Sequence, residues 1–290
     1  MNGSIIQYLI NGVFEGSVYA MIAVGLSLIF GILEVVNFAH GEFYMLGAVF
    51  LFVFFKILGM PYWIGVILSV MFMAAFGVLV ERLTIRPLIG KGWLLPIIAT
   101  FALSLGLQNF IIVTFGSTPK PVVTKYANNV IDIGGIYFTQ QRLFILIFAI
   151  TAFVLLHIFL KKTKTGKAMR AISQNRDAAQ IVGIDTNKIY MITFAIGSGL
   201  AGLAGAIVGP IYVIYPTMGA LLSLKAFACV IMGGFGNVKG AIYSAYILGI
   251  IGSLGASFVS QTYKDIIIFA VLICVLLVRP HGIFGKKVGI

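Results

Sequence analysis

Polar and ionisable side chains stand between two long apolar runs, in a short stretch that reads EVVNFAHGEF and contains Glu34, Asn37, His40 and Glu42. On a helix, Glu34, Asn37 and His40 would share one face, and Gly41 could end that helix. Ionisable groups at membrane depth are costly and usually face a cavity or a partner. Two interpretations stay open: a buried hairpin whose polar groups cap helix ends, or a set of four residues that lines a pathway or its gate. Glu15, inside the first apolar run, has the same two interpretations.

The second stretch that could carry chemistry is the basic segment 161–188, KKTKTGKAMRAISQNRDAAQIVGIDTNK. Its apolar residues are spaced as in an amphipathic helix over residues 166–182. At the centre, DAAQIVG places the small pair Ala178 and Ala179 where another surface could approach, and Gly183 would break the helix. The alternative is a solvated connector whose basic residues meet anionic lipid headgroups.

The amino-acid composition indicates whether water or lipid surrounds the helices or strands that hold these groups. Of the 290 residues, 60% are hydrophobic and 10% are charged, and the mean hydropathy is +1.09. Soluble domains carry about 25% charged residues, so a soluble chain of this size could not cover so much apolar surface. The apolar runs are about 16–26 residues long and lack the ~10-residue alternation of a membrane β-barrel. We predict an all-α, polytopic transmembrane helix bundle that forms a single domain over residues 1–290.

Nine candidate spans can be placed, at residues 8–33, 43–58, 62–80, 93–113, 143–160, 189–213, 217–235, 240–258 and 264–279. Two of them are atypical. The span 43–58 is short for a hydrocarbon core about 30 Å thick, and the span 217–235 contains Lys225 and ends in the glycine-rich MGGFGNVKG. Either fits a re-entrant segment, which requires protein or a water-filled cavity over its backbone. Eight spans are therefore the alternative.

The net charge of +12 comes from basic residues that concentrate in alternate breaks between the spans. Fourteen of the twenty lie on one side when Lys239 and the clusters at 82–91, 161–188 and 279–287 are placed together. Loops rich in Lys and Arg stay in the cytoplasm. This distribution predicts a chain with its N-terminus outside and its C-terminus inside, and it favours lipid over nucleic acid as the partner of the positive charge.

Small residues recur at helical spacing in the second half of the chain, where Gly197, Ala201, Gly205 and Gly209 form a ladder with a period of four. Small residues at this spacing let helix backbones approach closely in lipid. The ladder predicts helix packing, either within the chain or at a subunit interface.

The segment 161–188 resembles the cytoplasmic EAA-x3-G loop of ABC importer permeases, which docks on the ATPase subunit. Asp177, Ala178, Ala179 and Gly183 match the loop, with Asp in place of Glu, and Arg170 lies just upstream. Further stretches resemble the LivH-type permeases of branched-chain amino acid ABC importers: GLSLIFGILEVVNFAHGEFYMLGA, ERLTIRPL, TGKAMRA, GID, MGGFGNVKGA and RPHGIFG. Their order is kept over almost the whole chain.

This resemblance implies a division of labour among subunits in a bacterial or archaeal cytoplasmic (inner) membrane. A LivM-like second permease would complete the pathway, and two ATPase subunits would bind the coupling loops. A periplasmic or lipid-anchored binding protein would deliver the amino acid. Related permeases carry urea, short amides or other amino acids, so these remain alternative substrates.

The sequence is consistent with a permease that depends on separate subunits for ATP hydrolysis. An ATP site needs the phosphate cradle G-x-x-x-x-G-K-[ST], and the sequence contains none. It also has no H-E-x-x-H pattern and no cysteine cluster, so we expect a transport subunit that is not an enzyme and binds no cofactor or metal, with ATP used by its partners. The rival class is an ion-coupled secondary transporter, suggested by the acidic and imidazole groups near membrane depth.

Overall fold

The computed structural model describes residues 2–285, with side-chain surroundings from residue 5 onward. Its helices are α1 (Asn2–Leu33), α2 (His40–Leu51), α3 (Tyr62–Val80), α4 (Leu94–Phe115), α5 (Lys125–Asn128), α6 (Gln140–Lys162), α7 (Lys164–Ile172), α8 (Arg176–Ile181), α9 (Thr186–Val208), α10 (Met218–Gly233), α11 (Val238–Phe258) and α12 (Lys264–Val278). Helical turns of other pitch extend α2 through Phe52–Ile57 and α3 through Glu81–Ile85 and Arg86–Leu88, and another, Gln261–Tyr263, precedes α12. The strands β1 (Val130–Ile133) and β2 (Ile136–Thr139) form an antiparallel hairpin.

The predicted polytopic helix bundle is confirmed. Within residues 2–285, eight helical stretches are long and apolar enough to cross a membrane, and α10 is a shorter apolar helix. The eight-span alternative therefore fits the lengths better than nine full spans. The basic residues Lys286 and Lys287, which supported the predicted orientation, lie outside the described residues.

The shorter helix α10 nevertheless returns the chain across the bundle. Residues 209–217 leave the end of α9 without helix, and Ile214 pairs there with Lys120 through two backbone hydrogen bonds of 2.8 and 3.1 Å. The segment after α10 then reaches the place where α1 finishes, because the Phe235 ring centroid lies 4.5 Å from that of Phe30. We call the end where α1, α3 and α6 finish the basic end, and the other the opposite end.

Helix α1 is the central element of the bundle. Of its most apolar window 89% is buried, whereas the corresponding value for α12 is 6%. Its neighbours are α9, α10 and α11. Glycines permit close contact with α11: a methyl group on Gly12 or Gly16 would overlap the backbone of Ile250 or Tyr246. The polar residues of α1 therefore meet other parts of this chain.

Residues 34–39 do not form the helix on which Glu34, Asn37 and His40 would share one face. Helix α1 ends at Leu33, and Glu34 adopts a left-handed φ of 56°, which ends the helix. The side chain of Asn37 then accepts a hydrogen bond of 3.0 Å from the backbone N–H of Ala39, a local contact that favours a turn over a helix. Gly41 does not end a helix either, since it lies in the first turn of α2. Glu34, Asn37 and His40 consequently share no helical face.

The single amphipathic helix predicted over residues 166–182 is also wrong, because two short helices replace it. The side chain of Asn175 accepts a hydrogen bond of 2.9 Å from the N–H of Ala178 and so starts α8 afresh. Thr163 caps α7 in the same way, at 2.9 Å from the N–H of Gly166. Sequence periodicity could not show this break, since Asn is polar and fits the exposed face of a helix equally well.

Candidate functional site

The polar stretch that opens α2 contributes to the α2 cluster, which is composed of the buried Asn37, His40, Glu42 and Ser104 and the half-buried Gln108. One oxygen of Glu42, Oε1, accepts hydrogen bonds from Ser104 at 3.0 Å and from Gln108 at 2.8 Å. The His40 ring lies 3.1 Å, Nε2 to oxygen, from the carbonyl of Ile22, and it donates there because a carbonyl only accepts. The cluster ties α2 to α1 and α4.

Several polar atoms of this region are buried without a hydrogen-bond partner among the described residues: Asn37 Nδ2, His40 Nδ1, Glu42 Oε2 and Ser223 Oγ. Such atoms usually meet water or a ligand. The structure therefore brings three of the four predicted pathway residues together, while Glu34 is exposed at the end of α1. Their role in a pathway or gate stays a prediction.

Two helices start at the same place inside the bundle. Ile22, which contacts His40, lies eleven residues before the end of α1, which at 1.5 Å per residue is about 16 Å from the basic end. There Gly41 in α2 meets Gly219 in α10, and a methyl group on either would overlap the carbonyl oxygen of the other. Helices that begin part-way across a membrane are characteristic of transporter sites.

A large open space, the charged cavity, lies between this crossing and the opposite end of the bundle. It encloses about 930 Å³, within the range of about 300–1,000 Å³ found for small-molecule sites. Its lining comes from α1, α2, α6, α9, α10, α11, α12, the turn before α12 and the segment 209–217. No member of the α2 cluster lines it, although Tyr44, one turn further along α2, does. The structure thus separates the predicted polar stretch from the space that could hold a solute.

Two ion pairs stand in the wall of the charged cavity. Lys225 Nζ in α10 lies 2.6 Å from Asp265 Oδ1 in α12, and Lys264 Nζ lies 2.5 Å from Glu15 Oε1 in α1. Arg142 in α6 adds a third cation, held by Asn11 at 2.6 Å. The sequence shows Lys225 inside a span and Glu15 in the first apolar run, but their partners could not be predicted from it because those residues are distant in sequence. An unpaired charge inside an apolar span was the signal that a partner had to exist.

The basic segment is held firmly against the bundle. Met169 and Ile172 of α7 are buried, and Arg170 donates a hydrogen bond to the carbonyl of Leu160 at the end of α6. In α8, the guanidinium of Arg176 lies 5.7 Å from the ring centroid of Tyr190, a cation–π contact with α9. The segment therefore presents a defined shape.

The outer surface of this segment is partly apolar. Ile181 and Val182 are 85% and 75% exposed, next to Gly183, whose φ of 85° favours glycine. Of the predicted small pair, Ala178 is exposed but Ala179 is buried at 3%, so only Ala178 faces an incoming surface. The exposed residues of the predicted docking sequence are Asp177, Ala178 and Gly183, and the structure adds the neighbouring Ile181 and Val182.

The small-residue ladder of α9 faces other helices of the same chain. A methyl group on Gly197 would meet Ile29 of α1, and one on Gly205 would overlap the carbonyl of Tyr44 in α2. Ala201 between them is fully buried. Gly209 lies just beyond α9, and a methyl group there would meet only ordinary contacts.

Comparison with known proteins gives matches along almost the whole chain. Residues 8–276 match the family described as branched-chain amino acid transport system, permease component. The chain is 36% identical to the high-affinity branched-chain amino acid transport system permease protein BraD of Pseudomonas aeruginosa, over 97% of this chain and 96% of that protein. It is 34% identical to LivH of Escherichia coli, with the same coverage of both chains. A probable LivH of Methanocaldococcus jannaschii is 30% identical over 94% of this chain and 90% of that protein.

Weaker similarity extends to ribose import permeases. RbsC of Bacillus subtilis is 33% identical over 67% of this chain and 63% of that protein. No solved structure matches the chain at a significant level.

Proposed function

The chain belongs to the permease family of branched-chain amino acid transport systems, and from this we propose that it is a transmembrane permease subunit of an ATP-driven ABC importer for branched-chain amino acids. The observation that carries the proposal is end-to-end identity of 34–36% to the BraD and LivH permeases, over 97% of this chain. The eight membrane-capable helices of residues 5–278 support its place as a multi-pass membrane protein.

In this proposal the basic end lies in the cytoplasm, because Lys and Arg concentrate there. The membrane is the cytoplasmic (inner) membrane of a bacterium or archaeon. A LivM-like second permease completes the pathway, and a periplasmic or lipid-anchored binding protein delivers the amino acid at the opposite end. ATP is bound and hydrolysed by two separate ATPase subunits, since the sequence lacks a phosphate cradle.

The segment 161–188 couples the permease to its ATPases. Asp177, Ala178 and Gly183 lie on its exposed surface, beside the exposed apolar pair Ile181 and Val182. Apolar side chains at the water-exposed end of a membrane protein favour burial against a partner. The contacts of α7 with α6 would transmit a displacement of this surface into the bundle, since packed helices move as units.

Reconstitution tests the proposal. The chain is co-expressed with a LivM-like second permease, two ATPase subunits and a binding protein from the same organism, and the complex is placed in liposomes. We expect ATP-dependent uptake of labelled leucine, reduced by unlabelled isoleucine or valine and absent without ATP.

Two outcomes would contradict parts of the proposal. Leucine uptake driven by a proton or sodium gradient, without the ATPases, would identify a secondary transporter. ATP-dependent uptake of urea, acetamide, glutamate or ribose in place of leucine would keep the ABC importer and reject the substrate. The ribose permeases resemble about two thirds of the chain, so ribose is a necessary arm of the experiment.

A further inference from the structure

The charged cavity combines the two chemistries of an aliphatic amino acid. Its wall carries two acids, Glu15 and Asp265, and three bases, Lys225, Lys264 and Arg142. Aliphatic side chains from α1, α9 and α10 line the same space: Val18, Val208, Leu221 and Leu222. A sugar or an uncharged amide can form hydrogen bonds with these groups but no ion pair. A zwitterion with a branched apolar side chain can form ion pairs with charges of both signs and can pack against the aliphatic side chains.

Lys225 is the deepest cation of this cavity. Its side chain is 9% exposed, whereas that of its partner Asp265 is 36% exposed. Its ammonium also lies 5.6 Å from the ring centroid of Tyr19, on the central helix. A buried ammonium must keep an anionic partner, because leaving it alone costs several kcal/mol. The more exposed carboxylate of Asp265 is the partner that can be replaced at lower cost, since water can solvate it.

We propose that the charged cavity is the transit site for the amino acid, where its carboxylate replaces Asp265 on Lys225 while its ammonium is received by the freed carboxylate of Asp265. The proposal rests on the proposed function and assigns the place where this chain holds the substrate class. The exchange breaks the ion pair between Lys225 and Asp265 and forms two, one from the substrate carboxylate to Lys225 and one from the substrate ammonium to Asp265. No charge is therefore left alone in the membrane after the exchange.

A vacant acceptor supports the receiving half of the exchange. Glu15 binds Lys264 through Oε1, while its other oxygen, Oε2, is buried and has no hydrogen-bond partner among the described residues. Lys264 and Asp265 are neighbours at the start of α12, so both acids of the two ion pairs lie beside the same turn of helix. Asp265 therefore receives the ammonium first, and the covered Oε2 of Glu15 can accept from it when the Glu15 carboxylate turns toward the cavity, without displacing Lys264.

Exchange of ion pairs predicts weak binding. The charges of the site are already paired before the substrate arrives, so binding breaks one ion pair within the protein and removes water from both charged groups of the substrate. A transport site has to bind strongly enough to admit its substrate and weakly enough to release it. A cavity wall whose charges are already paired meets both conditions. High-affinity recognition of the amino acid is then the role of the binding protein.

Uptake by charge variants tests the proposal in the reconstituted importer. Lys225→Gln removes the deep cation and is expected to lower the maximal rate of leucine uptake at least tenfold. Lys56→Gln is the matched control, because Lys56 is an exposed lysine at the end of the α2 extension, outside the cavity. Equal uptake by Lys225→Gln and the control would overturn the proposal.

An exchanged pair separates binding from structure. Lys225→Asp combined with Asp265→Lys keeps an ion pair between α10 and α12 but turns the deep cation into an anion. We expect thermal stability in detergent close to that of the wild type, with leucine uptake still at least tenfold low. If uptake recovers together with stability, the pair only holds the helices and the transit site is rejected.

Cysteine protection measures occupancy directly. In the complete complex, with Cys229 and Cys274 replaced by alanine, Ser257→Cys places a thiol in the cavity wall for a charged thiol reagent. We expect leucine at about 100 mM, a concentration suited to weak binding, to slow labelling at least threefold. Isoamylamine, which lacks the carboxylate of leucine, and isocaproate, which lacks its ammonium, should not slow the labelling. Labelling that leucine leaves unchanged, or a thiol that reacts only without the second permease, would reject the proposal.

Failure of this proposal and failure of the proposed function give different results. A wild-type complex that takes up leucine while the cavity variants do too rejects only the transit site. A complex that takes up a different zwitterionic amino acid, with loss in Lys225→Gln, rejects the substrate assignment and keeps the site. Uptake of an uncharged solute alone rejects both.

Discussion

The α2 cluster and the charged cavity both place ionisable groups inside the bundle, yet the two regions satisfy them in different ways. Glu42 in the cluster is held by hydrogen bonds from Ser104 and Gln108, and it faces no open space of the cavity. Glu15 and Lys225 in the cavity wall are held by ion pairs beside about 930 Å³ of space.

The difference shows that burial of a polar group in a membrane protein can be stabilised in two ways. Its partner can be a side chain packed within the protein, or it can be a charged group beside an open cavity that a solute could replace. Groups that are bonded inside the protein and face no open space hold helices together, and their loss should appear as instability. Groups whose partners can be exchanged for a solute should appear in transport. Each variant below is therefore measured for stability and for uptake per folded complex.

The largest loss of stability is expected at the helix crossing beside the cluster. Gly41→Leu would place a side chain against the backbone of Gly219 in α10, where even a methyl group overlaps. Overpacking of this kind costs about 3 kcal/mol or more when backbone must move. Thermal unfolding in detergent and the yield of monodisperse protein should both fall.

Gly106→Leu in α4 is the control for that variant, because nothing lies within 4 Å of the position of its added Cβ. Equal stability of the two variants would show that the crossing tolerates expansion and that α2 is not fixed there.

Removal of a hydrogen bond within the α2 cluster should cost less. Gln108→Leu deletes the 2.8 Å donor to Glu42, and bonds to charged groups contribute about 1.5–3 kcal/mol. We expect a loss of about 2 kcal/mol in the free energy of unfolding, with leucine uptake per folded complex unchanged. The neighbouring Asn109→Leu removes an exposed amide bonded only to a backbone carbonyl, and it should change little.

Loss of uptake in Gln108→Leu at unchanged stability would contradict the distinction between a structural α2 cluster and a functional charged cavity. The α2 cluster would then belong to the pathway, as one of the two interpretations of Asn37, His40 and Glu42 holds.

A smaller stability effect, with a large functional effect, is expected at the coupling segment. Gly183→Val forces a branched side chain into φ 85°, which costs about 1–2 kcal/mol locally. Leucine uptake should fall at least tenfold, because the surface at 177–183 changes shape, and ATP hydrolysis should no longer respond to the loaded binding protein.

Gly92→Val gives the matched strain elsewhere, since Gly92 has φ 93° and open surroundings in the loop before α4. If both variants lose uptake equally, strain alone accounts for the effect and the coupling role of 177–183 is contradicted.

The smallest effect is expected from Arg176→Gln, which removes the cation–π contact with Tyr190. Contacts of this type at exposed sites contribute about 0.5–1 kcal/mol. Thermal stability should drop slightly, and uptake should fall less than in Gly183→Val. A larger loss of uptake than in Gly183→Val would place the main docking contact at Arg176.

Much of the fold could be predicted because lipid imposes a simple rule on the sequence. Backbone groups in hydrocarbon must be bonded internally, so long apolar runs read directly as helices. The boundaries near residues 34–40 and 173–175 could not be predicted, because single side chains decided them. Asn37 and Asn175 each bond a backbone N–H nearby, and these short-range bonds compete with helical spacing.

The candidate site was predictable only in part. Local motifs predicted the segment proposed to couple to the ATPases, and helical spacing predicted the small-residue ladder. The ion pairs could not be predicted. Glu15 and Lys264, for example, lie 249 residues apart, and no sequence motif connects them. Ala179 was predicted to face a partner, but its direction depended on how α8 lies against the bundle, and it is buried.

The sequence by itself determined the helical membrane fold, its strongly basic end and the permease family, since composition, periodicity and motifs are properties of the chain alone. Only the tertiary structure decided which charges meet and which polar groups face open space. Pairing depends on helices that are far apart in sequence but cross at fixed positions, where small residues such as Gly41 and Gly219 allow contact. That crossing leaves the polar stretch at the start of α2 packed inside the protein, and it leaves the charges of α1, α10 and α12 around a cavity.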